Sequence, residues 1–351
     1  VAEVVIVTRK SGEVYDVVVV GGGTAGLSAA LILGRSRRSV LVVDAGEPRN
    51  APAAHMHGYL SRDGMSPAEF LAVGRREVAA YGVELWDDRV TGAERDGAGD
   101  GAGEFSVTLA SGRAVRARRL VVTTGLVDEI PGIRGVAERW GQDVLHCPYC
   151  HGWEVRDRAF GVIASPVKGA YQALLVSQWS DDVTLFLHTA DTLTDEEWRL
   201  LAAAGVSVVT GEVASLVVEE DSLTGVRMAS GRVFPCEALF VGPRFSPNDG
   251  LLGALGAEMR DTPFGPFVTV DETGRTTVPG VWAAGNAVGP GEQVVNAASA
   301  GYRAGVTINN EMVFSDLEEK AAVRAAGVFS AEQERAVAER VLGDRAHGLP
   351  I

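Results

Sequence analysis

Two cysteines separated by two residues, Cys147-Pro148-Tyr149-Cys150, with His146 and His151 on either side, are the group in this chain best able to do chemistry. The chain has only three cysteines, too few for a disulfide framework or a four-cysteine zinc site, so no metal is expected and the pair reads as a redox couple. The third, Cys236, sits in the run Val233 to Val241 and reads as a buried structural thiol.

The pair needs elements to hold it, and the chain carries two nucleotide-fold units in series. Tyr15 to Val20 is a β-branched run, Gly21-Gly22-Gly23-Thr24-Ala25-Gly26 follows it, and Leu27 to Leu33 is helical. A second strand, Ser39 to Val43, ends in Asp44. Gly21, Gly23 and Gly26 have the G-x-G-x-x-G spacing in a βαβ context, with the acidic residue about 20 positions on. Such glycines let a helix N-terminus approach a pyrophosphate while the carboxylate accepts from ribose hydroxyls; the alternative is a glycine-rich turn without a ligand.

An internal repeat follows. Phe105 to Leu109, the turn Ala110-Ser111-Gly112-Arg113 and the run Leu120 to Gly125 recur as Val226 to Met228, Ala229-Ser230-Gly231-Arg232 and Leu239 to Gly242. Between the copies, Ala159 to Ala164 reads as a strand, Gly169 to Gln178 as a helix and Val183 to Leu187 as a strand. The expected fold class is α/β, with two Rossmann-like nucleotide-binding domains, the second inserted into the first. The first would comprise residues 14–130 and 264–351, and the second, carrying the cysteines, residues 131–263. Late in the chain, Val278 to Asn286 reads as a strand ending at a glycine. Gln293 to Gly305 reads as a small-residue helix, Asp316 to Ala326 as another, and Ser330 with Gln333 as the capping box of a last one. The Gly92 to Gly103 stretch reads as a flexible hairpin tip.

Composition narrows the partners. A net charge of −14 without a basic stripe argues against nucleic acid. With 46% apolar residues but no apolar run long enough to cross a bilayer, no membrane role is expected. Val1 to Lys10 lack the features of a secretory signal, which makes the cytoplasm the expected location.

The order of fingerprint, Thr123-Thr124-Gly125, Cys147-x-x-Cys150, second nucleotide unit and Gly285-Asn286 before a helix resembles the low-molecular-weight thioredoxin reductases over nearly the whole chain. The resemblance implies bound FAD, a homodimer, Cys150 beside the flavin and Cys147 as the sulfur that exchanges with substrate. Asn286 stands where the family carries an aspartate toward the ribityl chain; Asn still hydrogen-bonds there, as a neutral group. The chain departs from the reductases where they bind NADPH. Their second glycine turn falls on Ala164-Ser165-Pro166, and their basic cluster becomes His188-Thr189-Ala190-Asp191. Side chains and a proline there remove the close approach and donors that a pyrophosphate needs, so no NADPH partner is expected. Arg49-Asn50, His55-Met56-His57-Gly58, Ser61-Arg62-Asp63-Gly64 and Cys147 to Glu154 are similar to the FAD-dependent dithiol oxidases of natural-product pathways, which close disulfides of the holomycin and gliotoxin kind. The resemblance leans toward the bacterial holomycin type, because arginine heavily outnumbers lysine, as in proteins from GC-rich actinobacterial genomes.

What this implies is an enzyme that oxidises a small-molecule dithiol to its cyclic disulfide through Cys147 and Cys150, with O2 reduced to hydrogen peroxide. His151 stands where the reductases carry an acid–base aspartate and is the expected base, an imidazole with an ordinary pKa of about 6.5 being suited to a thiol near neutrality; a capping role for His151, or His146 as base, are the alternatives. FAD contacts are expected from Gly21, Gly23, Thr24, Ala25, Asp44, Arg49, Asn50, His57, Val90, Gly125, Asn286, Gln293 and Val294. Val90 would meet adenine through its backbone, and Gln293 with Val294 would present N–H groups to the flavin C2 carbonyl. His55 and His57 could line the substrate pocket instead. Rival readings are an NADPH- or ferredoxin-dependent thioredoxin or disulfide reductase, and a flavin-bearing redox sensor; NADPH response, ferredoxin-driven flavin reduction and peroxide turnover separate them.

Overall fold

The computed structural model of the protein describes residues 14–96, 103–164, 170–190, 192–327 and 331–342. Val14–Val20 lies at the centre of a seven-stranded sheet, parallel to Val40–Asp44 on one side and to Ala114–Val122 on the other. Val17, Val18 and Val19 are fully buried, as expected of a parallel strand covered on both faces. Ala114–Val122 is long enough to serve two partners: its first half pairs antiparallel with Glu104–Leu109, and its end pairs parallel with Val281–Ala283. The late strand thereby joins the first sheet through Ala114–Val122.

The fingerprint occupies the turn from Val14–Val20 into the helix Thr24–Arg35, which buries Ala25, Leu27, Ala29, Ala30 and Leu33. Gly21 has φ +100°, a conformation side chains rarely adopt. A Cβ on Gly26 would collide with the Gly21 carbonyl, so helix and strand end approach as closely as backbone allows. Thr123, at the end of the neighbouring strand, locks this contact by donating its hydroxyl to the Val20 and Gly21 carbonyls at 3.0 and 2.8 Å.

The second sheet has five strands, in the order Ser207–Val209, Val183–Phe186, Phe160–Ile163, Ala238–Val241 and Val144–Leu145, all parallel. A three-stranded antiparallel meander, Val213–Glu219, Ser222–Met228 and Val233–Pro235, accompanies it. Both copies of the internal repeat form as read. The chain passes from the first sheet toward the second through Leu126–Glu129 and comes back through Arg244–Pro247, and these two segments pair with each other as an antiparallel ribbon. Cys236 is fully buried against Gly161 and Leu239, and burial pushes its thiol up to about 12.

Two corrections concern the late helices and the hairpin. Gln293 to Gly305 and Asp316 to Ala326 are parts of one continuous helix, Val294–Gly327, because neither glycine nor proline interrupts residues 306–326. From Thr307 on, the chain forms a separate helical unit that includes Ala331–Leu342. The hairpin strands run further into the Gly92 to Gly103 stretch than expected, to Asp96 and from Glu104; the tip itself, like Ser165, Pro166, Asp191 and Ser330, lies outside the described residues. Among the described residues no helix is long and apolar enough to cross a membrane.

The start of the long helix packs on the fingerprint helix so closely that a Cβ on Gly301 would overlap the Ala25 carbonyl. Gly301→Ala is expected to lower stability by about 1–3 kcal/mol, the usual cost of overpacking against an atom that cannot rotate away. Urea denaturation of the variant should show an earlier midpoint with an unchanged slope.

Candidate active site

The strand Val144–Leu145, buried at the edge of the second sheet, leads straight into Cys147, the N-cap of the short helix Pro148–His151. Cys147 and Cys150 are free, half-buried thiols. They open onto a cavity of about 760 Å³ that is also lined by Gly21, Gly23, Thr24, Ala25, Asp44, Arg49, Asn50, Val90, Gly125, His151, Asn286, Gln293 and Val294. Of the predicted site residues, only His57 does not line it.

Local chemistry explains the cradle. Gly23 is the N-cap of Thr24–Arg35 and has no side chain to occupy the helix N-terminus, and the first turn carries no acidic residue. The first-turn N–H groups are left without a side-chain cap, an arrangement suited to an anion. Asp44 accepts from the Gly22 N–H at 3.0 Å and from Arg75 at 3.2 Å, which fixes its carboxylate beside the fingerprint. At Gly23 a Cβ would meet nothing within 4 Å, so this glycine borders open space rather than protein. A glycine-floored anion site, a fixed carboxylate and a cavity within the usual size of cofactor pockets fit a dinucleotide such as FAD. Asn286 follows the strand Val281–Ala283 and donates its side-chain amide to the Gly289 carbonyl at 3.0 Å, which ties the loop before the long helix.

Arg49 lines the cavity, but its guanidinium is held by Asp128 through two bonds of 2.8 Å, with a third to the Pro290 carbonyl at 3.4 Å. Asp128 is a site residue that sequence reasoning missed; its signal, a carboxylate in the strand leaving the first sheet, gains meaning only from the fold. His57 lies between Asp63 (3.4 Å) and Glu154 (3.5 Å), and Glu154 in turn acts on His151. His55 is exposed, with its ring 6.5 Å from that of His57. His146 donates Nδ1–H to the Val241 carbonyl at 3.2 Å and meets Phe245 edge-on.

The two sulfurs differ in acidity. Cys147 is lowered to about 7, chiefly by a hydrogen bond from the Cys150 thiol, then, against the cost of burial, by the Cys150 and Tyr149 backbone N–H groups and the Gln293 amide. Cys150 is pushed far up, first by its bond to Cys147 and then by burial. The first proton lost by the dithiol therefore comes from Cys147. Burial lowers His151, opposed by Glu154 and assisted by His57, so its imidazole is neutral at pH 7 and able to accept a proton.

Fold and site together define a disulfide oxidoreductase: the chain belongs to the pyridine nucleotide-disulphide oxidoreductase family, whose model matches residues 15–301. Within that family it is thioredoxin reductase-like, and proteins of this kind are FAD-binding flavoproteins. It is 50% identical to HlmI, whose crystal structure covers 91% of this chain and 98% of its own with a TM-score of 0.84. An oxidoreductase from Agrobacterium tumefaciens is 36% identical, with coverage of 86% and 99% and a TM-score of 0.80. The thioredoxin reductase sirT of Leptosphaeria maculans is 29% identical over 320 residues, 87% of this chain and 96% of that protein.

Because thiolates react and thiols do not, alkylation of the reduced protein should rise through pH 7, fall first on Cys147, and spare Cys236 until the protein unfolds. Peptide mapping after timed iodoacetamide labelling checks all three; early labelling of Cys150 would reverse the assignment of the charge.

Proposed function

We propose that this protein is an FAD-dependent oxidase that closes an intramolecular disulfide in a small dithiol of the holomycin-like dithiolopyrrolone kind, with O2 reduced to hydrogen peroxide. The observation that carries the reading is that the Cys147/Cys150 pair and the dinucleotide fingerprint open onto the same cavity. The pair needs no shuttle between separate sites.

The second nucleotide unit supports independence from NADPH. Its glycine turn is replaced in sequence by Ala164-Ser165-Pro166. The N–H of Ala170, at the start of the helix Tyr171–Val176, is taken at 3.3 Å by the Glu197 carboxylate, so the chain's own negative charge stands at the helix start that faces phosphate in a working unit. His188, in the stretch that replaces the basic cluster, accepts the Val213 N–H on Nδ1 at 3.0 Å and is committed to the neighbouring strand. We place the boundaries of this inserted unit at residues 131 and 263, and the active form as a homodimer.

In the proposed reaction a substrate thiolate attacks Cys147 Sγ of the enzyme disulfide, the Cys147–Cys150 bond breaks, and Cys150 leaves with the electron pair. The weakened acidity of Cys150 belongs to the state with a thiolate beside it; in the mixed disulfide Cys147 is neutral and that part of the penalty is absent. The second substrate thiolate attacks the substrate sulfur bound to Cys147, closing the ring and releasing Cys147 as thiolate. An acidity near pH 7 makes Cys147 a good leaving group for this step. His151, neutral in its desolvated position, accepts protons from the substrate thiols. FAD, when bound, supplies the two-electron sink that reoxidises the pair and passes the electrons to oxygen.

Flavin absorbance under strict anaerobiosis tests the reading. A small dithiol should bleach the flavin and NADPH should not; admitting oxygen should restore the absorbance with one hydrogen peroxide per disulfide. Rapid bleaching by NADPH would make the protein a reductase. A second expectation concerns His151: the acid limb of kcat/KM for the dithiol should have its midpoint below the ordinary histidine value of 6.5, and His151→Asn should remove that limb and lower kcat by about 10²-fold or more.

A further inference from the structure

Gln293 was expected to serve FAD through its backbone N–H, which leaves its side chain without a role. That side chain reaches the redox pair. Its Nε2 donates to Cys147 Sγ at 3.5 Å, and its Oε1 accepts from the Cys150 thiol at 3.3 Å, the one S–H being shared between this oxygen and Cys147 Sγ. The residue is fixed at the N-terminus of the long helix, where its carbonyl accepts the Ala297 N–H at 2.8 Å. Both sulfurs belong to the segment between the strands Val144–Leu145 and Phe160–Ile163 of the second sheet, whereas Gln293 follows the strand Val281–Ala283 of the first.

We propose that Gln293 is a positioning residue for the redox pair: its carboxamide spans the two sulfurs, giving a donor to Cys147 and an acceptor to Cys150, and thereby places the charge of the reduced pair on Cys147. An amide can do this because its two ends are chemically opposite, one a donor and the other an acceptor. The other charged and titratable groups facing the pair do not discriminate in this sense. Arg49 favours charge on Cys150, the wrong sulfur, and its guanidinium is already held by Asp128. His151 is neutral at pH 7, with Glu154 and His57 behind it. Glu292, next to Gln293, is raised by burial and is drawn toward Arg303 rather than toward the sulfurs. The Gln293 side chain is among the causes that lower Cys147 and also among those that lower Cys150, so the discrimination rests on the geometry, with Nε2 on Cys147 and Oε1 on the Cys150 thiol.

The inference rests on Cys147 and Cys150 being the redox pair and not on the terminal acceptor. Its test uses neither dithiol substrate nor oxygen. The holoenzyme is reduced anaerobically, and iodoacetamide labelling of each cysteine is followed against pH by peptide mass spectrometry. In the wild type Cys147 should be half-reactive near pH 7. Gln293→Glu keeps the length but replaces the donor by a negative acceptor, so the Cys147 midpoint should move up by about one pH unit or more. Gln293→Met keeps the bulk and removes both bonds, so the preference for Cys147 over Cys150 should fall by about fivefold, the worth of one ordinary hydrogen bond. FAD content is read from the visible spectrum of every sample, and a variant that fails to load FAD is compared with FAD-free wild type. A Cys147 midpoint in Gln293→Glu that coincides with wild type, or an unchanged cysteine preference in Gln293→Met, overturns the proposal.

Discussion

Making one of two half-buried sulfurs the more acidic is the constraint around which this site is arranged. Burial alone would protonate both thiols, since desolvation disfavours a thiolate. What keeps one ionised is the set of donors gathered at Cys147: the Cys150 thiol, two backbone N–H groups of the Pro148–His151 turn, and an amide. These donors come from different elements. The turn must be held by the second sheet, the amide by the long helix that closes the first, and the nearby guanidinium of Arg49 must be neutralised by Asp128 so that it does not draw the charge to the other sulfur. A displacement between the two sheets would separate the amide from the sulfurs and remove one of the supports of the thiolate.

The fold meets this requirement through its connections. The chain leaves the first sheet along Leu126–Glu129 and re-enters along Arg244–Pro247, and the pairing of these strands into a ribbon ties the exit to the return. Phe245, on the returning strand, is buried and packs with Leu126 and Phe267, and it also presents its ring to His146 and to the Arg49 guanidinium. The ribbon is thus in contact with the cysteine segment on one side and the cofactor loop on the other. Glu154 and His57 make a second contact between the same two parts of the chain.

How much of this was legible in the sequence follows from how local each feature is. The fingerprint, Asp44, the paired cysteines and both copies of the repeat depend on neighbours within a few residues or on one βαβ unit, and they formed as read. The helix Pro67–Ala79 went unread although Ser66 caps it through the Glu69 N–H with a proline at its first position, a signal that was present. Thr194 and Glu197 likewise form a complete capping box. That Glu197 also reaches Ala170, that Asp128 holds Arg49 and that the Gln293 side chain meets the cysteines could not be read, because each joins residues 27 to 146 positions apart. The division of the late helix failed for a different reason: the small-residue stretch ends at Gly305, which in the structure is no break but a contact point against Ala29 and Ile32.

The second sheet illustrates how a nucleotide-fold unit can hold together with Ala164-Ser165-Pro166 where a glycine turn is otherwise expected. Phe160–Ile163, the strand before that turn, still pairs on both sides, with Val183–Phe186 and Ala238–Val241, and its residues are buried. The next strand outward is Val144–Leu145, whose end delivers Cys147. Pyrophosphate binding asks for small residues and free N–H groups at one turn, whereas placing the cysteines asks for an intact run of parallel strands. The two demands fall on different residues of the same unit. The buried parallel strands that deliver Cys147 therefore do not depend on which residues stand at Ala164-Ser165-Pro166.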